Sequence, residues 1–375
     1  MAVICGASLL ALLALVAQLW LTVELSWTHR EAAAKALIGI NFSCDQAEFL
    51  LLEDPALGPA GYVSDDRPGR AEWCAETLVR LLDETGARSV RLSVQWDEVQ
   101  PEPTRYDFEL MEALLSAAQS RGASVSLSVG MKAQRHPEYH IPAWALEGTN
   151  LGEGDVVSDD PVLRGRALEM IATVVRRLSI SPAIDSWGAE NEGRIASGRS
   201  DNWKLSREYL AEVVGVIHTN DPQRRPVSIN HAQHFVMDRR WQEALADADI
   251  LAQSMYPRRN VEAFGLEFQA NIMELGWLMP NYAHQARTAN KAGKEFWVTE
   301  LQAEPWTDFD SRLITPDSPS PNLSPEKLGQ NVIYARKSGA ERIYLWGSEW
   351  WLYQSDRFGD GRWLDAARES IEAAR

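Results

Sequence analysis

The chain has 375 residues, of which 45% are hydrophobic and 24% charged, the proportions of a folded protein rather than a disordered or collagen-like one. Its 37 Lys and Arg against 53 Asp and Glu leave a net charge of −16, and no local basic patch offsets it, which argues against a nucleic-acid partner. Three cysteines exclude a disulfide-rich scaffold and a four-thiolate zinc site.

The chain opens on an apolar run, residues 2–23 (AVICGASLLALLALVAQLWLTV), with Gln18 its only strongly polar interruption. A helix of that length covers roughly 30 Å of hydrocarbon. No Lys or Arg precedes Arg30, and no persuasive cleavage site follows the run. Residues 1–27 are therefore expected to be an uncleaved membrane anchor in preference to a signal peptide, with a buried helix the weakest reading. Residues 28–35, containing EAAAK, read as a helical spacer, and the folded part is expected outside the cytoplasm, anchored or secreted. Cys5 lies in the apolar run, which leaves Cys44 and Cys74 either bridged or as two small buried hydrophobes.

From residue 36 onward, short β-rich runs alternate with amphipathic helical stretches. The runs are ALIGINFS (from 36), SVRLSVQW (89), SVSLSVG (124), AIDSWGAENE (183), PVSIN (226), DILAQSMY (249), EFWVTELQ (295) and RIYLWGSEWW (342). Helical patterns such as AEWCAETLVRLLDETG and FELMEALLSAAQSRG end in Gly just before the next run, as helix C-termini often do. Eight such runs with helical crossovers predict one α/β domain over residues 36–375, a (β/α)8 TIM barrel behind an N-terminal hydrophobic helix. An open doubly wound sheet is the alternative, but INFSCDQAEF after the first run is no Gly-rich phosphate loop. The segment Thr307 to Pro325, rich in Pro, Ser and Asp, reads as an excursion over the top face.

In such a barrel the polar residues at C-terminal strand ends line the site. The fourth run ends in Glu190-Asn191-Glu192 and the seventh in Glu300. Two glutamates at the tops of different strands are the equipment for glycoside hydrolysis, one as acid/base and one as nucleophile. A lone Glu there more often caps a helix or meets an Arg, so it is the constellation that counts.

Taken in order, GINFS, WDEVQPEPTRYDF, HPEYHIPAW, AENE, ELQAEPW and YLWGSEWW resemble clan A of the glycoside hydrolases, the superfamily of glycoside hydrolase family 5, and within it a group of bacterial cellulase-like proteins. That resemblance spans the whole barrel and implies a retaining β-glycosidase without a cofactor or metal, monomeric, acting on an oligo- or polysaccharide. It implies Glu192 as acid/base, Glu300 as nucleophile and Asn191 at the sugar 2-hydroxyl. Arg91 and Tyr256 would hold Glu300 ionised, and Trp346 would be a stacking floor for a sugar ring. Two features depart from the pattern: Gly193 stands where Pro is common, and Glu190 precedes Asn191. On an extended strand Glu190 and Glu192 point to the same side, which makes Glu190 the rival acid/base, while Glu304 is the rival beyond the seventh run.

Further candidates are more open. His136, Glu138 and His140 are expected to contact substrate or bond within their loop rather than bind a metal, which needs at least three converging ligands. His231 and His234 share that ambiguity, and Asn230 is expected to point into the barrel mouth. Trp96 is either a subsite wall or a lid on the core, and Trp350 and Trp351 are equally consistent with packing. The alternative to an enzyme is a catalytically silent carbohydrate-binding barrel, which has no need of two acids at these positions.

Overall fold

Each of the eight β-rich runs forms a strand: β1 (Leu37–Asn41), β2 (Ser89–Ser93), β3 (Ser124–Val129), β4 (Ile184–Ala189), β5 (Val227–His231), β6 (Ile250–Met255), β9 (Glu295–Gln302) and β10 (Arg342–Trp346). In this computed structural model they close into one barrel in the order β1-β10-β9-β6-β5-β4-β3-β2, every pair parallel. The residues described are 9–18, 31–32, 35–52, 69–135, 138–198, 200–232, 238–263, 266–271, 280–307, 309–318 and 322–374, with no side chains described over 259–279.

Near-continuous burial of these strands follows from parallel pairing, which puts helices over one face and packed side chains on the other. The pattern of β4 is typical: only Asp185 of Ile184–Ala189 is not buried. Gly39 of β1 has a local reason, because a β-carbon there would lie 2.4 Å from the carbonyl oxygen of Ser89 on β2. The crossover helices begin and end on their expected signals. Asp160 caps helix Pro161–Leu178 by accepting from the N–H groups of Val162 and Leu163, both at 2.9 Å. Gly86 takes the left-handed conformation (φ 72°) that ends helix Arg70–Thr85. Trp350 and Trp351 are wholly buried in helix Ser348–Phe358, so both are packing residues.

One element was not foreseen. Between β6 and β9 an antiparallel hairpin is inserted, β7 (Arg258–Ala263) paired with β8 (Leu266–Asn271). Its sequences, RRNVEA and LEFQAN, are charged and polar enough to mask a strand signal that rests on apolar runs. Among its described residues the 307–325 excursion has a short 3-10 turn, Ser311–Leu313, before Ser324 caps helix Pro325–Lys337.

Of the expected leader, residues 9–18 are described. They are helical, with Leu9, Leu10, Leu12 and Leu13 exposed. No helix among the described residues is long and apolar enough to cross a membrane. The rest of the expected anchor, and most of the 28–35 spacer, lie outside the described residues.

Cys44 and Cys74 are joined in a disulfide with their Cα atoms 5.5 Å apart, closing a separation of 30 residues. It ties helix Cys44–Leu51 to helix Arg70–Thr85. A crosslink of that loop length stabilises by between about 3 and 4 kcal/mol through the unfolded chain. Replacing both cysteines by Ser is expected to lower the free energy of urea unfolding by about that amount, and an unchanged midpoint would show that the bridge contributes nothing.

Candidate active site

The barrel mouth holds a charge that has to be paired. Arg91 of β2 is 1% exposed, and its guanidinium donates to Glu300 Oε1 at 3.0 Å, to Asn191 Oδ1 at 2.7 Å and to Asn41 Oδ1 at 3.3 Å. Gln134, with its amide oxygen turned toward the guanidinium, accepts from Arg91 Nη1 and Nε at 3.0 and 3.2 Å. The second oxygen of Glu300 accepts from the Tyr256 hydroxyl at 2.7 Å. Burial, with the Glu300 charge beside it, raises the Tyr256 phenol well above 10, which keeps it a donor. Glu300 is therefore a buried carboxylate with a cation on one oxygen and a hydroxyl on the other.

Asn191 is oriented by the same cation. Its Oδ1 also accepts from Asn230 Nδ2 at 3.2 Å, so the donor end of the amide is turned away from Arg91. Asn230 sits at 4% exposure in the mouth, bonded to Ser254 on β6. Arg91 and Tyr256 thus contact Glu300 directly, while Asn191 and Asn230 are linked to it through Arg91.

The two acids after β4 are separated by backbone conformation. The strand ends at Ala189, and Glu190 (φ 63°) and Glu192 (φ 47°) both adopt the left-handed region, so they do not lie on one side of an extended strand. Glu190 turns into the protein and is fully buried. Its Oε1 accepts from Met131 N at 3.0 Å and the Tyr209 hydroxyl at 2.8 Å, and its Oε2 from Lys132 N at 2.7 Å. Gly130 makes room for it, since a β-carbon there would fall 2.1 Å from the Glu190 carboxyl carbon. Desolvation pushes the Glu190 carboxyl up to about 7 against these donors. Glu190 is a brace for the loop after β3.

Glu192 remains half-buried at the mouth. Burial first, and then the Glu300 charge beside it, push its carboxyl up to about 7, against the Lys132 ammonium and the Ser254 hydroxyl. The Lys132 ammonium fixes this turn by donating to the carbonyls of Glu192 and Ile195, each at 3.1 Å, and pairs with Glu138 at 3.1 Å.

Other candidates fall elsewhere. Trp96 is wholly buried, its indole N–H bonded to Gln100 Oε1 at 2.9 Å and its ring edge-on to Trp144, so it is a lid on the core and not a subsite wall. His140 is 4% exposed, and its Nδ1 lies 3.5 Å from Asp97 in the short helix Trp96–Val99 after β2. His231 bonds Asp238 at 3.1 Å. His136 and His234 lie outside the described residues, and among the described residues no group of three His, Cys, Asp or Glu is placed to hold a metal. β9 runs on to Gln302, so Glu300 lies inside the strand and Glu304 only just beyond it. Glu304 is bound by Arg135 at 2.6 Å, and the face of Trp346 is covered by that same guanidinium at 4.2 Å, so the bare sugar floor expected at Trp346 is not present.

Lys132, Gln134, Arg135 and Ser254 were not singled out from the sequence, nor was Trp306, half-exposed and edge-on to Tyr256 at 4.8 Å. Only Trp306 carried a signal, as the last residue of ELQAEPW.

Residues 70–303 match the sequence profile of glycoside hydrolase family 42, described as Beta-galactosidase. The chain belongs to that family. Clan A membership, expected from the six sequence blocks, is thereby established, at family 42 rather than family 5, and the protein is a glycosidase. No curated protein sequence matches it. Among solved structures it is similar to a GH5_18 protein from Streptomyces cattleya in complex with GlcNAc, with 13% identity over 91% of this chain and 80% of that one and a TM-score of 0.57. A GH5_18 protein from Bifidobacterium longum subsp. infantis gives 11% identity, 90% and 79% coverage and a TM-score of 0.57. The cold-adapted beta-galactosidase of Rahnella sp. R3 gives 15% identity and a TM-score of 0.53 over 84% of this chain and 52% of that one. At these identities the likeness is one of fold.

The buried brace in this family 42 chain can be tested by stability. Glu190→Gln turns an amide NH2 toward the N–H and O–H donors that the carboxylate accepts. At pH 8 it should cost about 1–3 kcal/mol in urea unfolding, and a variant as stable as the parent would show that these contacts do not hold the loop.

Proposed function

We propose that this glycosidase is a retaining enzyme that cleaves β-glycosidic bonds by double displacement, with Glu300 as nucleophile and Glu192 as acid/base. The observation that carries the reading is the unequal environment of the two carboxyls. Glu300 has a cation on one oxygen and a hydroxyl on the other, whereas burial and the neighbouring charge push the Glu192 carboxyl up to about 7. In the first step Glu300 attacks the anomeric carbon while Glu192 gives its proton to the departing glycosidic oxygen, leaving a covalent glycosyl ester. In the second, Glu192 takes a proton from water, the water oxygen attacks the anomeric carbon and Glu300 leaves, so configuration is retained. Asn191, oriented by Arg91 and Asn230, is the group for the sugar 2-hydroxyl. The family description makes a terminal β-galactoside the first substrate to try.

The work is placed outside the cytoplasm. The Cys44–Cys74 bridge supports this, because disulfides persist in oxidising compartments, and the apolar run at 2–23 supports an anchor.

Proton NMR of the first-formed sugar from an aryl β-galactoside, β-glucoside or β-mannoside, whichever turns over, should show the β anomer. An α product would sink the assignment. Glu192→Ala should lose 10²- to 10⁴-fold on substrates with poor leaving groups, spare activated aryl glycosides, and regain turnover with azide. In the parent enzyme kcat/KM should fall as pH rises through about 7, where Glu192 loses the proton it must donate. That limb should vanish for Glu192→Ala on an aryl substrate, and its persistence would point to another acid. In cell fractionation the full chain should stay with membranes through a high-salt wash, since apolar insertion is not screened by ions, while a chain starting at Thr28 should be soluble and equally active. Release of the full chain by salt would refute the anchor.

A further inference from the structure

Arg135 spans the barrel mouth. It leaves the loop after β3, which stands opposite β9 in the closed strand order. Its Nη1 donates to Glu304, beyond β9, at 2.6 Å, and its Nη2 to Glu349, beyond β10, at 2.8 Å. Between these two carboxylates the guanidinium lies 4.2 Å from the centroid of the Trp346 ring. Both anchors are themselves fixed. Glu349 is buried and accepts from Ser43 N at 2.6 Å through its other oxygen. Glu304 packs over Gly347, where a β-carbon would lie 2.4 Å from its own. Arg135 holds a left-handed backbone (φ 71°), a conformation tolerated only where the surroundings over-determine it.

We infer that Arg135 is a specificity-determining residue: its guanidinium fills the aromatic platform of Trp346 and walls the cleft there, so that a glycan cannot run on past the reacting sugar and only a terminal sugar enters. The inference rests on the glycosidase reading of Glu192 and Glu300. A planar cation and the C–H face of a sugar compete for the same ring face. A substrate cannot displace this cation cheaply, because two carboxylates, one of them buried, would be left uncompensated. The wall is therefore part of the resting site.

The test compares the parent with the triple variant Arg135→Ser, Glu304→Gln, Glu349→Gln, which removes the cation and both charges together, and with Arg135→Lys, which keeps the charge but loses the two-pronged stack. The probes are 4-nitrophenyl β-galactoside and its 4,6-O-benzylidene derivative, whose terminal sugar is blocked at the position a longer chain would occupy. Turnover and calorimetric binding are both read. The parent is expected to refuse the blocked glycoside, and the ratio of blocked to free glycoside handled should rise at least tenfold in the triple variant and by less in Arg135→Lys. A parent that takes both probes alike overturns the inference, as does a variant that melts cooperatively and still refuses the blocked one. If neither probe is hydrolysed by any form, the glycosidase reading for this sugar fails, while binding of the two probes still decides whether Arg135 is the wall.

Discussion

A single buried ion pair organises the mouth of this barrel. Arg91 and Glu300 are both almost without solvent, and either charge alone would be expensive to bury. Burying the pair requires every remaining donor and acceptor to be met, and the surrounding residues do so. Asn41 accepts from Arg91 while its own amide donates to the carbonyls of Thr299 on β9 and Leu345 on β10, at 3.0 and 3.3 Å. The pair is thereby tied to the strands that carry it. Asn191 and Tyr256 complete the shell, and both acquire a defined orientation from the pair. An arrangement held this firmly before any sugar arrives does not have to reorganise when charge develops at the reacting carbon.

The second constraint is backbone strain just beyond β4. Two glutamates in the left-handed region within three residues cost of order 1–3 kcal/mol each, and such strain survives only where the surroundings impose it. Here Glu190 is pulled inward by the backbone of the β3 loop and the Tyr209 hydroxyl, and Lys132 clasps the carbonyls of Glu192 and Ile195. The turn this enforces sends one carboxyl into the core and leaves the other at the mouth. The unequal burial of two chemically identical side chains, two positions apart, follows from that turn.

Which parts of this were legible in the sequence follows from the range over which each is determined. The strands from Leu37 to Trp346 were legible because parallel pairing buries them on both faces, and the demand for Val, Ile, Leu and aromatics is local. Glu192 and Glu300 were legible because strand ends in a closed barrel face one opening, whereas Arg91, Asn191 and Tyr256 were reached only through the resemblance to clan A. The role of Glu190 was not, because the premise of an extended strand fails at Ala189 and no residue there announces the turn. Trp96 and Arg135 were unreadable for a related reason: whether a side chain faces solvent, core or an opposite loop is decided by partners far away in the chain, Glu304 and Glu349 for Arg135, Trp144 for Trp96. The β7–β8 hairpin was missed because its strands are mostly polar.

Arg135 and Arg91 present the same chemistry in two settings, and the contrast explains what each can do. Each guanidinium lies deep in the mouth and each is held by carboxylates of the β9 and β10 side. Arg91 shares Glu300 with Tyr256, one donor on each carboxylate oxygen. Arg135 binds Glu304 and Glu349, and Glu349 is held in turn by the Ser43 backbone, so that carboxylate has no oxygen left to offer a substrate. In the glycosidase reading proposed above, Glu192 and Glu300 are the acids placed for chemistry, while Glu304 and Glu349 hold Arg135 across the mouth.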